Sequence, residues 1–215
     1  MARIVFTRDL HIKDDPKNIL LIIDPQVDFH GDTLTLETGK GSLAVVGADK
    51  DARVLANFIK NNLCNIDEVF VTLDSHHTKH IAHQAFWTKA PGNTQKDDTI
   101  PIFSSCTHVP DYNDALYIID SEKGPNMEKG WTPKDVSLKN WSIDYSKKLE
   151  KGANQFKLCI WPDHCLIGTL GHTIEPNIQA ALSEWNLHPN NLSKKIKYIT
   201  KGMNCLTEMY RYSVV

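Results

Sequence analysis

The sequence predicts an α/β fold with a parallel sheet. Three observations carry that reading. Residues 19–23 (Ile-Leu-Leu-Ile-Ile) form a continuous apolar run that stops at Asp24-Pro25. Residues 68–73 (Glu-Val-Phe-Val-Thr-Leu) form a second β-rich run that stops at Asp74. Between them Ala48, Ala52, Leu55, Ile59 and Leu63 recur at helical spacing. A short run apolar on both faces fits a strand buried in a parallel sheet. A helix between two such runs makes a β-α-β unit, and ligands of these sheets gather at the carboxyl ends of the strands.

Each further element has its own signal. The amphipathic stretch 47–63 places its apolar residues on one stripe, which a helix buries against a sheet. From about 84 to 130 no period emerges and Gly, Pro, Asn, Asp and Ser are frequent, so the wider stretch 84–157 reads as a long inserted loop or lid. Thr132-Pro133-Lys134-Asp135 has the chemistry of a helix start, with Thr as cap and Pro in the first position. Leu138, Trp141, Tyr145 and Leu149 continue that helix. Leu158-Cys159-Ile160 predicts a short third strand ended by Trp161-Pro162. Ile178, Ala181, Leu182 and Trp185 predict another helix, and 196–200 (Ile-Lys-Tyr-Ile-Thr) a fourth strand leading into Lys201-Gly202.

Composition narrows the function classes. The 215 residues suit a single domain, with 41% hydrophobic and 23% charged residues as in an ordinary globular protein. A formal net charge of -2 gives no basic surplus for nucleic acid or an anionic membrane. No apolar stretch is long enough to span a bilayer, and no apolar segment follows Arg3 and Arg8 as in a signal peptide, so a cytoplasmic protein is expected. Cysteines at 64, 106, 159, 165 and 205 are odd in number and irregular in spacing, which favours reduced thiols over a disulfide framework. Ten histidines, concentrated between His76 and His172, are a first hint of a metal site.

Polar residues stand at the predicted strand ends: Asp24, then Asp74 with His76 and His80, then His164, then Lys201. Asp74-x-His76-x-x-x-His80 has metal-site spacing, and imidazole with carboxylate suits Zn, Fe or Mn. A solvated polar loop after a strand would read the same way, and His77 and His83 satisfy the same spacing argument. Trp161-Pro162-Asp163-His164-Cys165 is more specific, although a core Trp followed by a turn is its plain alternative.

Taken together, the chain resembles the metal-dependent nicotinamidases of the isochorismatase-like cysteine hydrolase family. The resemblance rests on Asp24-Pro25-Gln26-Val27-Asp28-Phe29 after the first strand, on Asp74-x-His76 with His80, and on Trp161-Pro162-Asp163-His164-Cys165. Gly168-Thr169-Leu170-Gly171 and Lys201-Gly202 complete it, in the family's order over about residues 17–210. It implies a three-layer α/β/α fold with a mostly parallel sheet in the strand order 3-2-1-4-5-6. It also implies hydrolysis of nicotinamide to nicotinate and ammonia, a step of NAD salvage. By resemblance Asp24 is the base that takes the thiol proton, and Lys201 stabilises charge beside it. Asp74, His76, His80 and His164 hold one divalent metal, zinc first and iron or manganese next. Phe29 and Trp161 flank the pyridine ring. The partner is a small molecule, and a homo-oligomer stays open. Such a division of labour is chemically reasonable: an amide is a poor electrophile, covalent catalysis splits the hard step, and a thiol needs a base or cation to become a nucleophile.

The family's nucleophilic cysteine belongs to a Gly-rich strand-to-helix turn some tens of residues after the lysine. Thr207 to Val215 begin like the segment that follows the lysine, so the expectation is a C-terminally incomplete domain without the last two strands or that cysteine. Strand 196–200 would then be an exposed edge and the chain poorly soluble. Cys165 and Cys205 are the substitute nucleophiles to weigh. Cys165 adjoins a proposed ligand, and Cys205 has no helix N-terminus to activate it. Two alternatives stand beside the nicotinamidase reading. One is a metal-binding remnant that catalyses nothing; the other is a related small-amide hydrolase of the same superfamily. The Asp74-x-His76 pair argues against the isochorismatase branch, which lacks that metal site.

Overall fold

The computed structural model describes residues 17–31, 41–94, 96–99, 130–151 and 158–208. The chain divides into two compact units, Met1–Ser75 with His164–Lys201, and His76–Asp163 with Gly202–Val215.

The first unit is α/β with a parallel sheet. Strand β1 (Ile19–Ile23) runs into a short turn, and helix α1 (Ala48–Asn61) carries the chain to β2 (Glu68–Asp74). The three-stranded sheet is completed from much later in the sequence, by the strand Ile196–Lys201, which we number β5. Its order is β1-β2-β5 and both pairings are parallel, with Ile23 opposite Thr72 and Asp74 opposite Lys201. Helix α3 (Pro176–Leu187) precedes β5. Leu20, Ile22, Val69 and Val71 point from one sheet face into a core with Ala52, Leu55 and Ile59 of α1 and Ile178, Leu182 and Trp185 of α3. This apolar burial is the main stabilising term of the unit. The helices start as their sequences dictate. Gly47 adopts φ 87 ahead of α1, a conformation that suits glycine. Ahead of α3 the buried Glu175 accepts a 2.9 Å bond from Ile178 N, and Pro176 fills the first helical position.

The second unit pairs β3 (Trp87–Lys89) antiparallel with β4 (Trp131–Pro133), and α2 (Lys139–Lys151) follows. Its core gathers Ile81, Phe86, Trp87, Trp131, Leu158 and Ile160. These elements fall within the stretch expected to be a loop or lid; residues 95, 100–129 and 152–157 of that stretch lie outside the described residues.

Three expectations need correction. Thr132-Pro133 does not cap a helix: both residues pair with β3, and the turn into α2 is capped by Asp135, whose carboxylate accepts from Ser137 N at 3.0 Å and Ser137 Oγ at 2.6 Å. Leu158-Cys159-Ile160 forms no ladder; it is apolar because it fills the second core, and only Trp161 makes a bridge, to His83. With that segment outside the sheet, Ile196–Lys201 is its third strand rather than its fourth. It is an outer strand of the described sheet, as expected, but it lies against β2 and not against β1.

Candidate active site

The sheet sets the geometry of the first unit's site. Asp24 follows β1, while Asp74 and Lys201 end β2 and β5 in matched register. Three adjacent strand ends thus deliver two carboxylates and one ammonium to one place. Lys201 Nζ lies 2.9 Å from Asp24 Oδ2 and 3.2 Å from Asp74 Oδ1. His164 Nε2 lies 3.6 Å from Asp74 Oδ2, and the Phe29 ring meets the His164 ring edge-on at 5.7 Å.

Sharing one cation between two carboxylates explains the electrostatics. Burial pushes the Asp24 carboxyl above the usual aspartate value; Lys201 opposes the shift and Asp74 reinforces it. Burial alone would lower Lys201, but the fields of Asp74 and Asp24 outweigh it and hold the ammonium above the ordinary lysine value. The two partners thus shift in the same direction, because the lysine gains two anions while Asp24 gains only a share of one cation. Lys201 is firmly charged, and Asp24 is a carboxylate poised to take a proton.

Backbone and side-chain brackets hold these groups in place. Asp24 sits at φ 50, a left-handed conformation that costs a non-glycine residue about 1–2 kcal/mol. Gln26, fully buried, pairs its amide with the backbone of Asp74: Nε2 donates to Asp74 O and Asp74 N donates to Oε1, both at 2.6 Å. Ser75 N donates to Lys201 O at 2.8 Å, and Ser75 Oγ lies 2.8 Å from His172 Nε2. Asp28 Oδ2 accepts from Cys165 N at 2.6 Å, which anchors the His164-Cys165 turn where Cys165 adopts φ 48. A Cβ on Gly171 would land on the Asp28 carboxylate, so only glycine fits there.

Cys165 belongs to this unit and is buried; burial first, then Asp74, Asp28 and Asp24, push its thiol upward. A thiol in that setting keeps its proton and is a poor nucleophile.

The second unit holds the histidine-rich stretch. His76, His80 and His83 are all buried, with ring centroids 4.5 Å apart for His76–His80, 5.0 Å for His76–His83 and 5.3 Å for His80–His83. His76 Nδ1 lies 3.2 Å from Gly202 O, His80 Nδ1 3.7 Å from Glu208 Oε2, and His83 Nδ1 3.8 Å from Asp163 Oδ1. Buried imidazoles with a backbone carbonyl at His76 Nδ1 and carboxylates near His80 and His83 form a donor set that zinc, iron or manganese accepts, so these residues fit a divalent ion. Trp161 bridges to His83 in the same unit, and Cys205 accepts from Ile81 N through its carbonyl at 2.8 Å.

The sequence-predicted residues therefore fall into two groups. Asp24, Phe29, Asp74, His164 and Lys201 belong to the first unit; His76, His80 and Trp161 belong to the second. Gln26, Asp28 and Thr72 received no role from the sequence. For Gln26 and Asp28 the signal was present, since both belong to the Asp24-to-Phe29 motif. Thr72 gave none, being an ordinary residue of a β-rich run.

The site defined by this fold is an acid–lysine cluster at the carboxyl ends of a parallel sheet. No family model matches the chain, and no curated protein does. Three solved structures resemble it. The yeast nicotinamidase Pnc1p is 16% identical, with a TM-score of 0.46; its complex with the inhibitor nicotinaldehyde is also 16% identical and gives 0.45. A nicotinamidase–pyrazinamidase from Acinetobacter is 18% identical, with a TM-score of 0.39. Each comparison covers 89% of this chain; the chain spans 59% of the length of the yeast protein and 55% of the Acinetobacter one. No helix among the described residues is long and apolar enough to cross a membrane.

Proposed function

We propose that the chain is an amide hydrolase of the nicotinamidase type, converting nicotinamide and water to nicotinate and ammonia. The observation that carries this reading is Lys201 Nζ at 2.9 Å from Asp24 and 3.2 Å from Asp74, at three neighbouring strand ends. Asp24 accepts the proton of a thiol nucleophile. The thiolate adds to the amide carbon, ammonia leaves with a proton returned by Asp24, and water then cleaves the thioester. Lys201 offsets the charge of both carboxylates and so keeps Asp24 ionised between proton transfers. Phe29 offers an aromatic wall for the pyridine ring. The thiol is not assigned to Cys165, whose burial among carboxylates opposes ionisation.

His76 and His80 are the proposed ligands of one divalent ion, zinc first and iron or manganese next, with His83 packed on both rings. Bound there, the ion would supply a Lewis acid.

A second reading is favoured by the same histidine cluster: a metal-binding protein of this fold without turnover. Ammonia release from nicotinamide, measured with zinc content on the same sample, separates the two. Turnover that disappears in Asp24→Asn and Lys201→Met supports the hydrolase. Stoichiometric zinc with no ammonia supports the second reading, and turnover unaffected by Asp24→Asn removes Asp24 from the mechanism.

A further inference from the structure

We infer that Thr72 is the positioning residue of Asp24, holding its carboxylate through the Thr72 hydroxyl; this inference rests on the hydrolase reading for its kinetic consequence. Thr72 lies in β2 opposite Ile23, buried to 8% exposure, directly beside the residue where β1 breaks into the Asp24 turn. Asp24 N donates to both Thr72 O and Thr72 Oγ1 at 3.1 Å. The hydroxyl in turn donates to Asp24 Oδ1 at 2.9 Å.

This two-way arrangement fixes a proton. By accepting the Asp24 N–H, Thr72 Oγ1 commits a lone pair inward, and its own hydrogen points at Asp24 Oδ1. Lys201 holds the other oxygen, Oδ2, at 2.9 Å. With one oxygen on a neutral hydroxyl and the other on an ammonium, the carboxylate plane has no free rotation left. The left-handed backbone at Asp24 (φ 50) is a conformation that aspartate tolerates better than most residues but still at a cost, and the Thr72 bracket helps to hold it. Lys201 and Asp74 are the charged groups that act on Asp24 beside this hydroxyl. Thr72 touches neither the reacting thiol nor the amide in this scheme; it acts through Asp24.

Two substitutions separate the hydroxyl from the packing. Thr72→Val keeps the branched shape and the strand but removes the donor; Thr72→Ser keeps the donor and removes only the methyl. We expect kcat for ammonia release to fall about ten-fold in Thr72→Val with KM unchanged, as for a lost bond to a charged group felt only in the chemical step. Thr72→Ser should stay within about two-fold of wild type. Wild-type kcat in Thr72→Val, or Thr72→Ser as slow as Thr72→Val, overturns the assignment. A second measurement does not depend on turnover: the carboxyl ¹³C resonance of Asp24, identified by its loss in Asp24→Asn. Its titration midpoint should rise in Thr72→Val and return in Thr72→Ser; equal midpoints in all three proteins overturn the inference. Absence of ammonia from wild type would refute the hydrolase reading alone and leave the resonance to decide the role of Thr72.

Discussion

Lys201 and Asp24 meet at 2.9 Å across a sheet in which their strands are not neighbours; β2 lies between them and contributes Asp74 to the same ammonium. The triad is therefore a product of sheet order, and its charge balance, two carboxylates to one cation, controls how the site titrates.

The first prediction concerns pH. The Asp24 carboxyl is raised in the folded protein, mainly by burial, so it binds its proton more tightly than a free aspartate. Activity that needs Asp24 ionised should fail on the acid side at a pH above the ordinary aspartate range. Lys201→Gln should cost about 100-fold in kcat and move the residual acid limb to still higher pH, since the cation that opposes the shift is gone. Ammonia release measured from pH 4 to 8 checks both statements; a limb unmoved in Lys201→Gln contradicts them.

Removing the cation should also weaken the fold. Lys201→Met leaves the buried Asp74 and the half-buried Asp24 carboxylates without their ammonium, at a cost of about 3–5 kcal/mol near neutral pH. The lysine value is raised above 10.5 in the folded state. Its stabilising contribution is thus complete below the unfolded lysine value and disappears as pH rises through the folded one. Urea unfolding of both proteins at pH 7 and at strongly alkaline pH should show the difference shrinking with pH.

Gln26 tests the bracket around Asp74. Gln26→Leu keeps the volume but deprives two buried backbone groups of Asp74 of their 2.6 Å partners. The expected loss is about 2–4 kcal/mol in chemical denaturation. A loss under about 0.5 kcal/mol, the level of a neutral surface change, would mean the bracket is dispensable.

Two glycines of one loop should behave differently. Gly171→Ala drives a methyl into the Asp28 carboxylate and breaks its bond to Cys165 N, costing about 1–3 kcal/mol. Gly168 has φ 87 with open space around it, so Gly168→Ala carries only the backbone penalty of about 1 kcal/mol. Melting temperatures that rank the two in reverse would refute this account.

Metal content tests the histidine cluster. His76→Ala and His80→Ala should each reduce zinc per chain after dialysis, and wild type should lose its ion near pH 4, where protonated imidazole cannot ligate. Elemental analysis decides it; zinc retained in both variants excludes them as ligands.

How far the sequence foretold all this depends on whether a feature is local. β1, α1, β2, α3 and β5 were legible because a buried strand and an amphipathic helix write their period into consecutive residues. Leu158-Cys159-Ile160 misled because filling a core and joining a sheet select the same apolar run. Thr132-Pro133 misled because residues that suit a helix cap were here recruited by pairing with β3, a partner more than forty positions away. The order β1-β2-β5 is likewise non-local. At the site, Asp24, Asp74, His164 and Lys201 announced themselves by type and position at strand ends. Thr72 could not, because threonine is common in strands for its shape, and only the folded structure turns its hydroxyl toward Asp24.

The left-handed turn at Asp24 has a consequence for engineering. Its backbone conformation and its ionised carboxylate both raise the free energy of the native state at neutral pH. A library randomised at position 24 and sorted only for thermal tolerance should therefore drift toward glycine or asparagine, selecting variants that have traded their chemistry for heat resistance.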